Sequence, residues 1–445
     1  MERRFCFGLP LWHTPGVPTM TDTLTRRSLL KVSGTAAVLA AARTALPGGA
    51  WAATGDAPEV KGATFGFIAL TDSSPLIIAK EKGFFAKYGL PDVQVVKQAS
   101  WGTTRDNLEL GSAGGGIDGA HILTPMPYLM ASGRVTKNST KVPMNILARL
   151  NTNGQSISVS NTYKTLHVGT AAKALGEAFA KARATGKEVK VAMTFPGGTH
   201  DLWLRYWLAA NGVDPDKDVS TIVVPPPQMV ANMKVDTMEA FCVGEPWNAQ
   251  LINQGIGYTA LTTGELWKDH PEKSLAMRGD WVEKNPKAAK AVTMAVLEAQ
   301  AWCEANIEEM CKIVSGREWF KVPYEDIVAR SKGRYDYGTG KVVENSPYVM
   351  KFWKDFASYP FQSHDLWFLT ENIRWGYQPA DVDTKALIKA VNREDIWRDA
   401  AKALGVAAAD IPATTSRGIE TFFDGKTFDP ANPQAYLKSL TIKRV

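Results

Sequence analysis

Hydrophobic and polar positions along the chain switch repeatedly between a period of two and a helical period. The run "TFGFIAL" from Thr64 is apolar and β-rich, and "DVQVVKQA" from Asp92 alternates as a strand does. Between them, "TDSSPLIIAKEKGFFAKYGL" reads as helix, with Ser74-Pro75 suited to a start and Gly83 and Gly89 to stops. "TTRDNLELGSAGGGIDGAHIL" predicts a helix, a glycine-rich turn and a short strand, and "TPMPYLMASG" opens another helix. The pattern then recurs. "VPMNILARL", "KVAMTF", "VSTIVVPPP" and "MEAFCVGEPW" predict strands, and "PGGTHDLWLRYWLAANG" a helix between two of them. One long helix is predicted over 284–315, with Asn285 as cap and Pro286 in its first turn. Strand and helix in alternation predict an α/β architecture. The stretch to Val445 reads as rich in helix and loop, and no short-period repeat is present.

The first fifty residues follow a different pattern. "TRRSLLK" (Thr25 to Lys31) precedes a weakly apolar, Ala-rich stretch that ends in a small-residue "AWA" site near Ala52. Residues 1–53 therefore read as a twin-arginine signal peptide, with Met20 placed to begin one of ordinary length. The apolar run is too short and too Ala-rich for a stable membrane span. This expectation makes the mature protein periplasmic, and peripheral to the inner membrane wherever the leader stays uncleaved. The segment holds six basic and two acidic residues, so the formal charge of +6 falls to about +2 without it. No basic run is left to engage nucleic acid.

Of four cysteines, Cys6 leaves with the leader. Cys242, Cys303 and Cys311 allow at most one bridge. If Cys303 and Cys311 share the predicted helix, eight residues separate them by about 12 Å, too far for a disulfide. There is no C-x-x-C, no H-x-E metal box, and no haem, molybdopterin-type or nucleophile-elbow pattern. No metal or cofactor is expected, and no enzyme, although twin-arginine export often carries cofactor enzymes.

Several short stretches carry candidate chemistry. In "FPGGTH", Gly197 and Gly198 end a strand and Thr199 or His200 opens a helix. Such a turn exposes backbone N–H groups and the positive end of the dipole, an anion site by geometry; a plain strand–helix turn capped by Thr199 fits as well. Trp203 and Trp207 on that helix read as core packing. Trp101 in "ASWGTT" follows a strand end, where open α/β sheets bind ligands, although a core-packing role fits it equally. Gln155 in "NTNGQ" lies in a polar turn, either solvated or donating its amide. Gly244 in "VGEPW" permits close backbone approach, and Glu245 reads as structural or hinge-forming. "AGGGIDG" lacks the spacing of a dinucleotide loop and reads as a turn before a strand.

The order of "FGFIALTDSSPLIIAKEKGFFAKYGL", "ASWGTTRDNLELGSAGGGIDGAHILTPMPYLM", "NTNGQSISVSN", "FPGGTHDLWLRYWLAANG", "FCVGEPWNAQ" and "LWKDHPEK" resembles type II periplasmic solute-binding proteins, in the nitrate/bicarbonate-binding branch of ABC-transporter binding proteins. The resemblance covers nearly the whole chain after the leader. It implies a two-lobed clamshell with an anion between the lobes: 60–152 plus 262–445 as lobe 1 with a C-terminal extension wrapped on it, and 153–261 as lobe 2. It implies ligand contacts at Trp101, Gln155, Thr199, His200 and Gly244, and a charge-deciding residue at Lys273, with Lys268 as the competing lysine. Nitrate has three acceptor oxygens and no proton to give, so a pocket of donors only, with the Lys273 ammonium as counter-charge, is expected for nitrate and nitrite. Bicarbonate carries an O–H and would want an acceptor, such as a carboxylate at position 273. Cyanate or a small organic anion of the sulfonate type would also be a ligand of the right charge. A monomer serving an ABC permease and its ATPase subunits is the implied partner arrangement.

Overall fold

The computed structural model describes residues 57–444. The leader expected over 1–53 lies outside them. Two five-stranded sheets organise the chain. The first has the order β2-β1-β3-β10-β4, built from β1 (Thr64–Phe67), β2 (Gln94–Lys97), β3 (Gly119–Leu123), β4 (Met144–Arg149) and β10 (Lys273–Arg278). The second has the order β7-β6-β8-β5-β9, from β5 (Gln155–Ser160), β6 (Lys190–Met193), β7 (Ser220–Val223), β8 (Ala240–Gly244) and β9 (Gly257–Thr262). Each sheet has parallel pairs on one side and a single antiparallel strand in fourth place, β10 in the first and β5 in the second. Both antiparallel strands begin where the chain has just crossed from the other sheet. The crossings, Leu150–Gly154 and Thr263–Glu272, lie side by side, joined by a bridge between Thr152 and Pro271, and Thr152 also bridges Lys351.

Strands β1 to β4 and β6 to β8 follow the periodicity. Strand β5 does not, because it reads "QSISVS". Its serines are buried with their hydroxyls engaged: Ser158 Oγ donates to Asn248 Oδ1 at 2.7 Å and Ser156 Oγ to Glu245 Oε1 at 3.2 Å. The "NTNGQ" turn is likewise buried rather than solvated. Asn151 Nδ2 donates to the Asn153 carbonyl, and Asn153 Nδ2 to Asp269 Oδ1. Glu245 takes the structural role expected of it, paired to the buried Arg330 guanidinium.

Two further expectations need correction. The long helix breaks at Asn306 into Pro286–Ala305 and Ile307–Ser315. Asn306 leaves helical geometry at φ −133°, and Glu308 and Glu309 fall in the first turn of the new helix, where acidic residues suit its dipole. Cys303 and Cys311 therefore sit on different helices; they and Cys242 are buried free thiols. The C-terminal stretch also does not keep to the first sheet. Trp367, Phe368, Phe422 and Tyr436 pack into the second hydrophobic cluster with Trp203 and Trp207, and Trp203 stacks on Trp367 at 5.1 Å. The hydrophobic pattern shows that these aromatics are buried but not on which sheet. The first cluster, centred on the first sheet and helix Pro286–Ala305, runs on into Phe241 and Val243 of β8, so the two halves are packed against each other. Among the described residues no helix is long and apolar enough to cross a membrane.

Candidate functional site

Between the sheets lies a buried polar cluster. On the first side, the chain turns sharply after β1, and Ser73 and Ser74 hydroxyls donate to the carbonyls of Leu70 and Thr71. The turn aims Asp72 inward, where its carboxylate is fully buried and takes three donors. His121 Nε2 of β3 lies 2.6 Å from Oδ1, and Gln155 Nε2 at 2.9 Å and Lys273 Nζ at 3.0 Å approach Oδ2. Burial pushes this carboxyl up, but the Lys273 and His121 partners more than reverse that and hold it well below the usual range. Trp101 opens helix Trp101–Leu110, whose N-cap Ser100 accepts from the Thr103 N–H at 3.1 Å. Its indole packs 5.2 Å from the His121 ring and 5.9 Å from the Lys273 ammonium.

On the second side, hydrogen bonding fixes the tautomers. Gln155 gives an amide hydrogen to Asp72, so its Oε1 faces His200 Nε2 at 2.7 Å. His200 must then carry its proton on Nε2 and accept at Nδ1 from the Thr194 hydroxyl, 2.6 Å away. Burial, helped by the nearby ammonium, pushes the His200 pKa well down, and the ring is neutral. The 3.4 Å approach of Lys273 Nζ to His200 Nε2 therefore sets two donors face to face, not a bond. Gly244 ends β8 against this group. A Cβ there would lie 2.5 Å from Gln155 Oε1 and 3.2 Å from Asp72 Oδ2, so only glycine lets the strand end close on the cluster. Gly197, in the left-handed region at φ 70°, and Gly198 similarly let the turn before helix Thr199–Ala210 close on Leu129 and Leu123 of the first half.

Glu272 joins the two sides. Its Oε1 accepts from the Thr199 hydroxyl and, at 2.9 Å, from Lys273 Nζ; its Oε2 accepts from Trp203 Nε1 at 2.7 Å. Thr199 and Trp203 stand four residues apart on one helix face, which is why both reach it. Burial pushes the Glu272 carboxyl above its ordinary range against the pull of Lys273 and the two donors. Lys273, the first residue of β10, is itself fully buried. Burial works against its charge, yet Asp72 and Glu272 raise its pKa.

Trp101, Gln155, Thr199, His200, Gly244 and Lys273 are thus brought to one place, while Lys268 is exposed. The expectation of a donors-only pocket does not hold: two carboxylates share the Lys273 ammonium, and they consume the Thr199 hydroxyl, two ammonium hydrogens and one Gln155 hydrogen. Asp72, His121 and Glu272 were not singled out by sequence, and Trp203 was read there as core packing, whereas its Nε1 donates to Glu272. The signal for Glu272 and Trp203 was present in the adjacency of Glu272 to Lys273 and the i, i+4 spacing of Trp203 from Thr199. What the cluster leaves uncommitted are donors. Trp101 Nε1 and Thr71 Oγ1 are buried without a partner, and Lys273 keeps one N–H. Other buried donors, such as Trp367 Nε1 and Trp397 Nε1, also stand without a partner elsewhere in the fold, and it is the place of Trp101 beside the Lys273 ammonium that sets it apart. Among the described residues, no group of three or more His, Cys, Asp or Glu side chains is arranged to hold a metal ion.

Comparison with known proteins agrees with this architecture. Residues 56–315 match the NMT1-like family. The nitrate/nitrite binding protein NrtA of Synechocystis sp. is 68% identical over 393 residues, covering 88% of this chain and 87% of that one. The bicarbonate-binding protein CmpA of Synechococcus elongatus is 47% identical over 397 residues, covering 87% and 88%. The crystal structure of the periplasmic nitrate-binding protein NrtA from Synechocystis superposes with a TM-score of 0.85 over 87% of this chain and 100% of that one. The fold is that of the two-lobed periplasmic binding proteins, and the chain belongs to the NMT1-like family, among the relatives of the nitrate/nitrite binding protein NrtA.

Proposed function

We propose that this protein is the solute-binding component of an ABC importer, capturing nitrate, and nitrite with it, between its lobes and delivering the anion to the permease and its ATPase subunits. It works by binding and closure as a monomer and makes or breaks no covalent bond. The observation that carries the reading is a fully buried ammonium at the meeting of two lobes, with the indole of Trp101, whose Nε1 has no partner, beside it. An anion whose oxygens only accept hydrogen bonds answers both. Trp101, Gln155, Thr199, His200, Gly244 and Lys273 form the proposed pocket. Residues 60–152 and residues 153–261 form the two proposed bodies, with the chain from 262 packed partly on each, and their contacts must part to admit a ligand to a site this deeply buried. The twin-arginine leader carries the protein to the periplasm in this reading; Arg26→Lys with Arg27→Lys is expected to leave it in the cytoplasm on fractionation.

Bicarbonate is the second reading, favoured by one observation: the carboxylates of Asp72 and Glu272 are acceptors that its O–H could use. Calorimetric titration with nitrate, nitrite and bicarbonate separates the two. Nitrate at a hundredfold excess over its dissociation constant should stabilise the fold by about 2.7 kcal/mol. Tighter binding of bicarbonate than nitrate would reverse the assignment.

A further inference from the structure

We infer that the anion enters this site together with one proton, taken from solvent and carried on the carboxyl of Glu272. The inference rests on the anion-binding reading above and adds a second ligand to it.

The first argument is charge. Asp72 and Glu272 face the single cation Lys273, at 3.0 and 2.9 Å. If both carboxylates are ionised, the cluster already carries an uncompensated negative charge, and an entering anion would make it three negatives to one positive in a fully buried place. Nothing adjacent answers this. His121, His200 and His270 are pushed toward neutrality by burial. Burial pushes the Cys242 thiol of β8 up, keeping it neutral. Asp201 and Glu245 are already paired, to Arg205 and Arg330, and Arg417 behind His270 is engaged with Glu420. Asp72 and Glu272 each hold three donors and share the ammonium, but His121 Nε2 and Gln155 Nε2 at Asp72 can only donate, whereas the Thr199 hydroxyl at Glu272 Oε1 can accept a carboxyl proton in return; Glu272 is therefore the one placed to take it up.

The second argument is hydrogen-bond direction. An ionised Glu272 takes the Thr199 hydrogen and one from Lys273. Thr199 then turns only lone pairs toward an anion. A proton on Glu272 Oε1 reverses both: the carboxyl O–H donates to Thr199 Oγ1, the threonine hydrogen is released to the anion, and the ammonium regains a second N–H. Glu272 Oε2 becomes the carbonyl oxygen and goes on accepting from Trp203 Nε1. One proton thus frees two donors.

The test is calorimetric titration with sodium nitrate, in pairs of buffers of different ionisation enthalpy, from about pH 6 to pH 9. Proton uptake should rise toward one per nitrate as pH passes the free-state value of Glu272. Above it, affinity should fall about tenfold per pH unit. Glu272→Gln places an amide where the protonated carboxyl stands, its NH2 able to donate to Thr199 and its oxygen able to accept from Trp203. This variant should bind nitrate with no proton uptake and no pH dependence over the same range. Infrared difference spectra of the wild type should show a carboxylic C=O band appearing with nitrate at the upper end of the range, a readout that stands even if the variant does not fold. Nitrate binding by the wild type without proton uptake throughout overturns this inference and leaves the anion-binding reading intact. Undiminished uptake in Glu272→Gln overturns the assignment to Glu272. Failure of the wild type to bind nitrate, nitrite or bicarbonate at any pH overturns the underlying reading and this inference with it.

Discussion

Replacing Lys273 by methionine keeps most of the side-chain volume and removes the charge. The ammonium lies 3.0 Å from Asp72 and 2.9 Å from Glu272 with no exposure to solvent. At an effective dielectric of about 20, each pair is worth about 5–6 kcal/mol of Coulomb attraction. The net cost of breaking a buried pair is smaller, about 3–5 kcal/mol, and comes mostly from the carboxylates left behind. Lys273→Met should therefore lower both stability and nitrate affinity, the latter by about thirtyfold to several thousandfold. The stability loss has a pH signature. In the wild type, Asp72 is held below its unfolded value; its contribution is present above that value and lost as pH falls through the folded one. In the variant, two buried carboxyls without a cation titrate above their unfolded values, so the variant loses stability as pH rises through that window. Wild-type Glu272 is also held above its ordinary value, and stability is lost there as pH rises, so the gap between the two proteins widens with pH chiefly through Asp72, lowered in the wild type and raised in the variant. Denaturant unfolding at several pH values and nitrate titration read both effects. Adding Asp72→Asn and Glu272→Gln to Lys273→Met should restore stability but not binding. Lys268→Ala, on the exposed loop, should change either quantity by no more than about 0.5 kcal/mol. Binding of nitrate by Lys273→Met within about threefold of wild type, or loss of binding in Lys268→Ala, would refute the reasoning.

Trp101→Phe keeps an aromatic ring against His121 and removes the partnerless Nε1–H together with part of the indole. Nitrate affinity should fall about tenfold or more, the worth of a hydrogen bond to a charged group, and the smaller ring in this fully buried place should cost about 1–3 kcal/mol of stability. Gly244→Ala drives a methyl to 2.5 Å from Gln155 Oε1. It should cost about 1–3 kcal/mol of stability and weaken nitrate by displacing Gln155 from Asp72, both measurable by unfolding and titration.

The fold was largely legible because most strands and helices bury apolar residues at their own period. What escaped, β5, β9 and β10, are strands whose buried positions include Gln, Ser, Thr and Lys. Ser156 and Ser158 look like loop residues until Glu245 and Asn248 are seen beside them. The helix break at Asn306 escaped for the opposite reason, since the apolar pattern continues through it. In the site, the residues that touch a ligand in the resemblance were legible and came together. The residues that hold them in place were not. Asp72 and His121 sit far from Gln155 and Lys273 in sequence; strand pairing within the first sheet brings Lys273 to them, and only the packing of one lobe on the other brings Gln155. Charge alone misled as well: a lysine in an anion site suggested donors only, whereas burial of an ammonium calls for carboxylates beside it.

Those carboxylates also decide where recognition happens. Asp72, Trp101, His121, Glu272 and Lys273 belong to the first sheet and its loops. Gln155, Thr199, His200, Trp203 and Gly244 belong to the second. Parting the proposed lobes breaks Gln155–Asp72, Thr199–Glu272 and Trp203–Glu272, and leaves Lys273 between its two carboxylates. An anion arriving at the open first lobe therefore meets no net positive charge, and long-range attraction to this cluster contributes little to its capture. The donors that make the site favourable are completed only as the second lobe arrives with Gln155 and Thr199. Discrimination among small anions is then a property of closure, and substitutions on the second lobe that leave the Lys273 cluster untouched should alter selectivity more than substitutions on the first lobe's surface.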